Sequence, residues 1–235
     1  MVKIRESLGL AKFPPKEEPK PDSKPEPTVE LKPERVFCIG LSPGHGGGDT
    51  GAVSATGLQE QKAARDVCDA LEARFKENPA FDVAVYGFNE TKKNYGQRVK
   101  DSNARPDDFY IPIHFNNWAP NPNKNGWLIF VDPQDSEKNP ALQPLVKEIL
   151  SELQTSYPIG YGDWDENKDG YMEGIGRKVY EETAPNADSI YLELGYLSHP
   201  EWDKKMREPE NHKKIADAIV TGFEKFFDLS KFRKA

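Results

Sequence analysis

Residues 36–52 read Val-Phe-Cys-Ile-Gly-Leu-Ser-Pro-Gly-His-Gly-Gly-Gly-Asp-Thr-Gly-Ala, an apolar run followed at once by a glycine-rich turn. The run is typical of a buried strand, and the turn places His45 just beyond the strand's carboxyl end. Glycine removes side chains that would block a close approach to the backbone, and it permits positive φ in a tight turn. The turn lacks the spacings of a phosphate loop and of a dinucleotide-binding loop. His45 is therefore a candidate metal ligand, to be judged against the rest of the chain.

From Val36 onward, short apolar runs alternate with segments of helical periodicity. The runs predict strands at residues 36–41, 82–86, 108–114, 127–131 and 190–194, and the periodic segments predict helices at 58–75, 140–153 and 212–227. This alternation predicts an α/β fold in which a twisted, largely parallel central sheet is flanked by helices on both faces. Pro112 lies inside the third strand. Because proline cannot donate to a ladder, we expect that strand at a sheet edge or next to a bulge.

Composition limits the size of the fold and the kinds of partner. The 235 residues, 36% of them hydrophobic, can build one sizeable core, and we place a single domain at residues 36–235. Residues 1–35 are rich in Pro, Lys and Glu and are expected to be a disordered N-terminal segment. The net charge of −7 argues against a nucleic-acid partner, and no apolar run is long enough for a transmembrane segment. The N-terminus lacks the apolar stretch of a signal peptide, so we expect a cytoplasmic location, and we expect a monomer.

Glu60 and His114 are two further candidates for chemistry. Glu60 extends the buried stripe of the first predicted helix, and a carboxylate on an inward face needs compensation, commonly from a bound cation. The alternative is a first-turn carboxylate that caps the helix. His114 ends a buried strand, as His45 follows one, so both imidazoles can converge with Glu60 at one edge of the sheet. Two His and one Glu form the ligand set of a catalytic zinc site, although these residues alone leave other divalent metals open.

Glu193 lies in the apolar run Ile190-Tyr-Leu-Glu-Leu-Gly-Tyr-Leu197. Burial raises the pKa of a carboxyl group and disfavours its charged form, so a glutamate here needs a reason. One interpretation is a structural salt bridge. The other makes Glu193 a general base beside an attacking water, since a pKa near neutrality helps proton transfer in both directions. His199 and His212 are competing ligand candidates, but their positions in a loop and at a helix start predict surface residues.

In order along the chain, these residues and their contexts resemble a known family, the zinc-dependent N-acetylmuramoyl-L-alanine amidases of the type-3 group. The resemblance covers essentially all of residues 36–229. The motifs that carry it are Pro-Gly-His45-Gly-Gly with Asp-Thr-Gly-Ala52, Gly57-Leu-Gln-Glu60, Arg98 and Asn103 ahead of Asp108-Phe-Tyr-Ile-Pro-Ile-His114-Phe-Asn116, and Glu193-Leu-Gly-Tyr-Leu-Ser-His-Pro-Glu201.

The resemblance implies that His45, Glu60 and His114 bind Zn²⁺ and that Glu193 is the catalytic glutamate. It implies a phosphorylase/hydrolase-like fold and hydrolysis of the amide bond between N-acetylmuramic acid and L-alanine in peptidoglycan. We expect a phage endolysin that leaves the host cytoplasm to act on the cell wall, with a sporulation lysin as the second setting. The alternatives are another zinc amide hydrolase, such as a carboxypeptidase or an N-acyl amino-acid deacylase, and a non-catalytic cell-wall binding module.

Substrate contacts are predicted at Arg98 and Asn116, and two departures from the family pattern bear on the site. Ser42 stands where the family usually has Asp, which we expect to weaken support of the metal ligands, and Phe115 replaces an Ala and is expected to reshape the pocket. Residues 165–170 match the opening of a calcium loop, but Gly176 stands where the closing Glu is needed. A polar loop is the prediction there, with calcium as a minor alternative.

Overall fold

The computed structural model describes residues 32–87, 94–162, 169–173, 181 and 185–233. The strands are β1 (Phe37–Pro43), β2 (Phe81–Val85), β3 (Phe109–Asn116), β4 (Trp127–Val131), β5 (Tyr171–Glu173), β6 (Asp188–Ser189) and β7 (Tyr191–Tyr196). The helices are α1 (Glu60–Phe75), α2 (Tyr95–Ala104), α3 (Pro133–Lys138), α4 (Leu142–Ser156), α5 (Pro200–Lys205) and α6 (Pro209–Phe226), followed by a 3₁₀ turn at Ser230–Phe232.

The strands form one sheet in the order β2-β1-β3-β7-β4-β5, with β6 paired to β3 just before β7 begins. Strand β1 lies between β2 and β3, and both pairings are parallel. Strand β7 is parallel to β3, whereas β4 is antiparallel to β7 and carries β5 with it in the reversed direction. The predicted α/β fold with a largely parallel sheet is confirmed, with two strands reversed at one side.

Helices cover both faces of the sheet. One face packs against α1, α4 and α6, of which α6 contacts both of the others, and these helices close the main core over Ile39 and Leu41 of β1 and Ile111 and Ile113 of β3. The opposite face carries a smaller cluster in which Val99 of α2 meets aromatic side chains of the sheet. Because side chains alternate along a strand, the even-numbered positions of β1 and β3 face this second side.

Pro112 lies in a central strand, so of the two expected settings, a sheet edge or a nearby bulge, the edge is wrong and the bulge agrees with the register shift further along β3. Strand β3 has β1 on one side and β6 followed by β7 on the other. Pairing on that second side runs to Tyr110 opposite Ser189 and resumes at Ile113 opposite Leu192. The break between β6 and β7 lies opposite Pro112, where a proline removes no donor from a continuous ladder. A register shift follows between His114 and Asn116.

The fold also shows where His212, Phe115 and the two cysteines lie. His212, predicted at the surface, is buried, and its Nε2 lies 3.1 Å from the carbonyl oxygen of Met206. Phe115 packs in the main core and does not line the polar side of the sheet, so the expectation that it reshapes the pocket is wrong. Cys38 and Cys68 are both free thiols, the first half-buried and the second buried.

Two predicted features fall partly or wholly outside the described residues. The calcium-loop motif at 165–170 is described only at residues 169 and 170, and of the N-terminal segment 1–35 only 32–35 are described. Both remain predictions. Among the described helices, none is long and apolar enough to cross a membrane.

Candidate active site

Two histidines and one glutamate come together at the carboxyl end of β1 and β3. The potential ligand atoms of His45, Glu60 and His114 lie within 4.8 Å of one another. Nε2 of His45 is 3.1 Å from Oε2 of Glu60, and Nδ1 of His114 is 3.0 Å from Oε1 of the same carboxylate. The three residues that the sequence singled out as ligands therefore face one another.

Each ligand is held by a different part of the fold. His114 is in β3, and His45 follows β1 in the glycine-rich turn with φ of 61°. Glu60 is the first residue of α1 and is 4% exposed. The backbone N–H of Ala52 donates to its Oε2 at 2.9 Å, and the backbone N–H of Phe115 donates to its Oε1 at 3.1 Å. These donors lie outside α1, so the carboxylate is fixed by the turn and by β3 and does not cap its own helix.

Two glycines leave the space that this convergence needs. A Cβ on Gly44 would lie 2.5 Å from the His114 ring, and a Cβ on Gly51 would lie 2.5 Å from the His45 ring and 2.7 Å from Oε2 of Glu60. Gly51 also has a φ of 63°, which other residues adopt at a cost. Gly44 and Gly51 therefore allow the ligand side chains to pack against the backbone of the turn.

The Arg98 side chain, from α2, holds the glycine-rich turn by hydrogen bonds to its backbone. It is 1% exposed, and its guanidinium donates to the carbonyl oxygens of Pro43 at 2.5 Å and His45 at 2.7 Å. From the same helix, the Tyr95 hydroxyl accepts the His45 backbone N–H at 2.8 Å. These contacts fix the backbone at residues 43 and 45, where the turn begins. The predicted contact of Arg98 with substrate stays a prediction.

Glu193 lies beside the ligands on β7, paired in register with His114 on β3. Its Oε2 is buried and has no hydrogen-bond partner within the described part of the chain. Burial raises the pKa of Glu193; the charge of His114 opposes this shift and that of Glu60 adds to it, and the pKa reaches about 8. The described residues provide no salt-bridge partner for this carboxylate, which leaves it available for proton transfer.

The pKa values of Glu60 and His114 show that the metal-free site favours positive charge. Burial opposes the shift, but hydrogen bonds and charges from His114 and His45 lower the pKa of Glu60 well below its usual range. For His114, burial lowers the pKa, whereas the nearby carboxylates of Glu181, Glu60 and Glu193 raise it to about 10. Several carboxylates around a buried imidazole favour a positive charge at this site, on the imidazole or on a bound cation.

Glu181 was not identified from the sequence. It is 1% exposed, its Oε1 accepts hydrogen bonds from Ser42 and Tyr110, and its Oε2 lies 3.6 Å from Nε2 of His114. The His114 ring also stacks on Tyr191, with centroids 4.7 Å apart and an interplanar angle of 13°. Glu181 lies between Val179-Tyr180 and Glu182-Thr183, with no long apolar run around it, so no sequence signal marks it as buried.

Asn116, the second predicted substrate contact, ends β3 two residues after His114. It is 7% exposed, and its Nδ2 has no hydrogen-bond partner among the described residues. An amide donor without a partner, two residues beyond His114 on the same strand, is suited to a carbonyl group of a substrate. This role stays a prediction.

Two imidazoles and one carboxylate are a donor set that zinc accepts. Zinc–nitrogen and zinc–oxygen bonds of roughly 2.0–2.2 Å at tetrahedral angles would separate ligand atoms by about 3.3–3.6 Å. The two separations between imidazole nitrogen and carboxylate oxygen, 3.1 and 3.0 Å, each run to a different oxygen of Glu60 and are slightly shorter than that range. A His₂Glu set with a further carboxylate beside it, on an α/β sheet, is the kind of site found in metal-dependent hydrolases.

Comparison with known proteins identifies the family within this class. The family Amidase_3, described as N-acetylmuramoyl-L-alanine amidase, matches residues 39–225, and the chain belongs to this family. The enzyme class predicted from the sequence is thereby confirmed.

Relatives share part of this chain's sequence, and a solved structure shares its fold. The chain is 25% identical over 188 residues to the uncharacterized protein YqiI of Bacillus subtilis, covering 80% of this chain and 84% of that protein. It is 23% identical over 232 residues to the N-acetylmuramoyl-L-alanine amidase AmiC of Neisseria meningitidis, covering 83% of this chain and 54% of AmiC. The N-acetylmuramoyl-L-alanine amidase structure from Clostridium difficile 630 has a TM-score of 0.70 at 20% identity, covering 83% of this chain and 99% of that chain.

Proposed function

We propose that this protein is a zinc-dependent peptidoglycan hydrolase that cleaves the amide bond between N-acetylmuramic acid and the L-alanine of the stem peptide. The observation that carries the proposal is the convergence of His45, Glu60 and His114, with Glu193 adjacent in register. His45, Glu60 and His114 would hold the ion, and membership of the amidase family supports the choice of bond.

The protein's own residues divide the chemistry. Zn²⁺, when bound, would act as a Lewis acid and would lower the pKa of the attacking water. Glu193 accepts the proton of the attacking water and delivers it to the departing amine of L-alanine, so the carboxylate is regenerated in each turnover. A pKa raised by burial makes both transfers accessible near neutral pH. Asn116, with its amide donors at the edge of the site, orients the substrate.

The test measures the product and the metal requirement together. Purified peptidoglycan is incubated with the protein, and new N-terminal L-alanine is measured by amine labelling and mass spectrometry. We expect release of alanine N-termini, its loss after treatment with a chelator, and its return after addition of Zn²⁺. Release of a terminal amino acid from the stem peptide would support a carboxypeptidase. Binding to the wall with no new amine would support a non-catalytic module.

We also propose that the protein acts as a phage endolysin, made in the host cytoplasm and acting on the cell wall after release. The family assignment supports the wall as substrate and applies equally to bacterial lysins. Expression in a susceptible host separates these settings. An endolysin is expected to leave cells intact until a membrane-permeabilising agent is added, and to lyse them within minutes afterwards. Lysis without the agent, or none after it, would contradict the endolysin proposal.

A further inference from the structure

Glu181 is a buried carboxylate that is neither one of the three metal ligands nor part of the proposed proton transfer. Its Oε1 accepts hydrogen bonds from the Ser42 hydroxyl at 2.5 Å and the Tyr110 hydroxyl at 2.8 Å. Burial and the nearby Glu181 charge raise the pKa of Tyr110, so this hydroxyl stays protonated and can donate. Two donors therefore fix one oxygen of Glu181 and determine where the other oxygen points.

The other oxygen faces a metal ligand. Oε2 of Glu181 lies 3.6 Å from Nε2 of His114, and His114 is 5% exposed. That Nε2 has no hydrogen-bond partner within the described residues, while Nδ1 of the same ring faces Glu60 at 3.0 Å. A neutral imidazole carries one proton, so a ring that offers Nδ1 to a metal must carry its proton on Nε2. A buried N–H without an acceptor is destabilising, because it loses its hydrogen bonds to water and gains none in the protein.

We infer that Glu181 is the positioning residue of His114. It accepts the Nε2–H hydrogen bond and thereby fixes the tautomer that presents Nδ1 to the metal. This inference rests on the proposed function, because it assumes that His114 is a ligand. A shift of roughly half an ångström between Oε2 and Nε2 completes the hydrogen bond. Stacking on Tyr191 restricts tilting of the ring but supplies no acceptor, so the carboxylate is what selects the protonated nitrogen.

Ser42 has a defined part in this arrangement. Arg98 donates to the Ser42 hydroxyl at 3.2 Å, and this hydroxyl donates in turn to Glu181. The guanidinium therefore balances the buried carboxylate through one intervening hydroxyl. The sequence predicted that Ser42, in place of an aspartate, weakens support of the ligands. In the structure a carboxylate does lie beside one ligand, His114, but it comes from residue 181.

The first test compares metal affinity in two variants at this residue. Glu181→Gln keeps the size of the side chain and removes its charge. Even with its amide oxygen turned toward His114, it offers a neutral acceptor, and hydrogen bonds to neutral groups are about half as strong. We expect zinc affinity, measured by competition with a fluorescent chelator, to fall about 10- to 100-fold. The control is Ser189→Ala, which removes a 2.9 Å hydrogen bond to the backbone carbonyl of Glu181 and leaves the carboxylate in place.

The second test observes the proton directly. In zinc-loaded protein with ¹⁵N-labelled histidine, two-bond correlations are expected to place the His114 proton on Nε2 and the metal on Nδ1. The Nε2–H signal is expected to be shifted downfield by the carboxylate and to move upfield in Glu181→Gln. This measurement on the wild-type protein tests the inference even if no Glu181 variant folds.

The results separate this inference from the proposed function. Wild-type protein that neither binds zinc nor releases alanine contradicts the proposed function. Wild-type protein that does both contradicts only the inference if His114 ligates through Nε2, or if a folded Glu181→Gln binds zinc within threefold of wild type. An equal loss of affinity in Ser189→Ala would assign Glu181 a purely structural role and would also overturn the inference.

Discussion

Replacing Glu193 by glutamine tests whether Glu193 transfers protons and does not bind the metal, because the structure predicts different effects on catalysis, metal binding and folding. The ligand contacts join His45, Glu60 and His114 to one another, and Oε2 of Glu193 has no hydrogen-bond partner within the described residues. The isosteric change should therefore leave zinc affinity within about threefold of wild type. Removing a general acid–base is expected to lower kcat by about 10²- to 10⁴-fold. This loss corresponds to roughly 2.7–5.5 kcal/mol of transition-state stabilisation.

The assay combines alanine release from peptidoglycan with zinc content and thermal unfolding of the same samples. The matched control is Glu137→Gln, which makes the same chemical change at an exposed position in α3. We expect the control to keep wild-type kcat. A folded, zinc-loaded Glu193→Gln protein that retains more than a tenth of wild-type kcat would refute the assigned role of Glu193. Loss of zinc with loss of activity would instead make Glu193 part of metal binding.

Three further predictions concern the turn, its support and the metal-free protein. Gly51→Ala places a Cβ against His45 and Glu60 and should lower zinc affinity at least tenfold. Gly48→Ala is the control, because Gly48 also has a positive φ but nothing lies within 4 Å of its Cβ, and its zinc affinity should not change. Equal affinities of the two variants in chelator competition would contradict this prediction. Arg98→Lys loses the fork that holds two carbonyl oxygens, so Tm and zinc affinity should both fall; a rise in KM alone would indicate a substrate contact instead. In chelator-treated protein the raised pKa of Glu193, about 8, means that its contribution to stability is full below about pH 4.5 and is lost as pH rises through 8. Urea unfolding of Glu193→Gln should lack this part of the decline, and parallel stability curves for both proteins would rule the effect out.

Much of the site could be predicted because its residues contrast with their surroundings. His45 follows an apolar run, and Glu193 interrupts another. Parallel strands end at a common edge, so residues that follow or end them meet there, whatever the lengths of the intervening segments. Glu60 needed the helical period to show that it faces inward. These arguments use only local pattern and sheet geometry, which is why they work from one sequence.

The parts that could not be predicted depend on packing between distant segments. Glu181 is followed by another glutamate and a threonine, and its burial arises only when Ser42 and Tyr110 approach it. Helix α2 has only three buried residues, Arg98, Val99 and Ser102, so it lacks an apolar stripe. Its arginine is buried because carbonyl oxygens of the β1 turn accept from it, which no helical periodicity reveals.

Pro112 shows how tertiary context overrides a sound local rule. A proline argues against a central strand, because it lacks the N–H that a ladder needs. Here the neighbouring side of the ladder is divided between β6 and β7, and the division lies opposite Pro112. Only the pairing of the three strands β3, β6 and β7 shows that the N–H missing from Pro112 does not interrupt a continuous ladder.

The central claim is that His45, Glu60 and His114 bind one zinc ion beside Glu193. It is tested most directly by crystals grown with Zn²⁺ and measured on both sides of the zinc absorption edge. We predict a single anomalous peak that appears only above the edge, bonded to both imidazoles and the Glu60 carboxylate at about 2.0–2.2 Å. No peak among these three side chains in zinc-loaded, active protein, or a zinc ion held by other residues, would contradict the account.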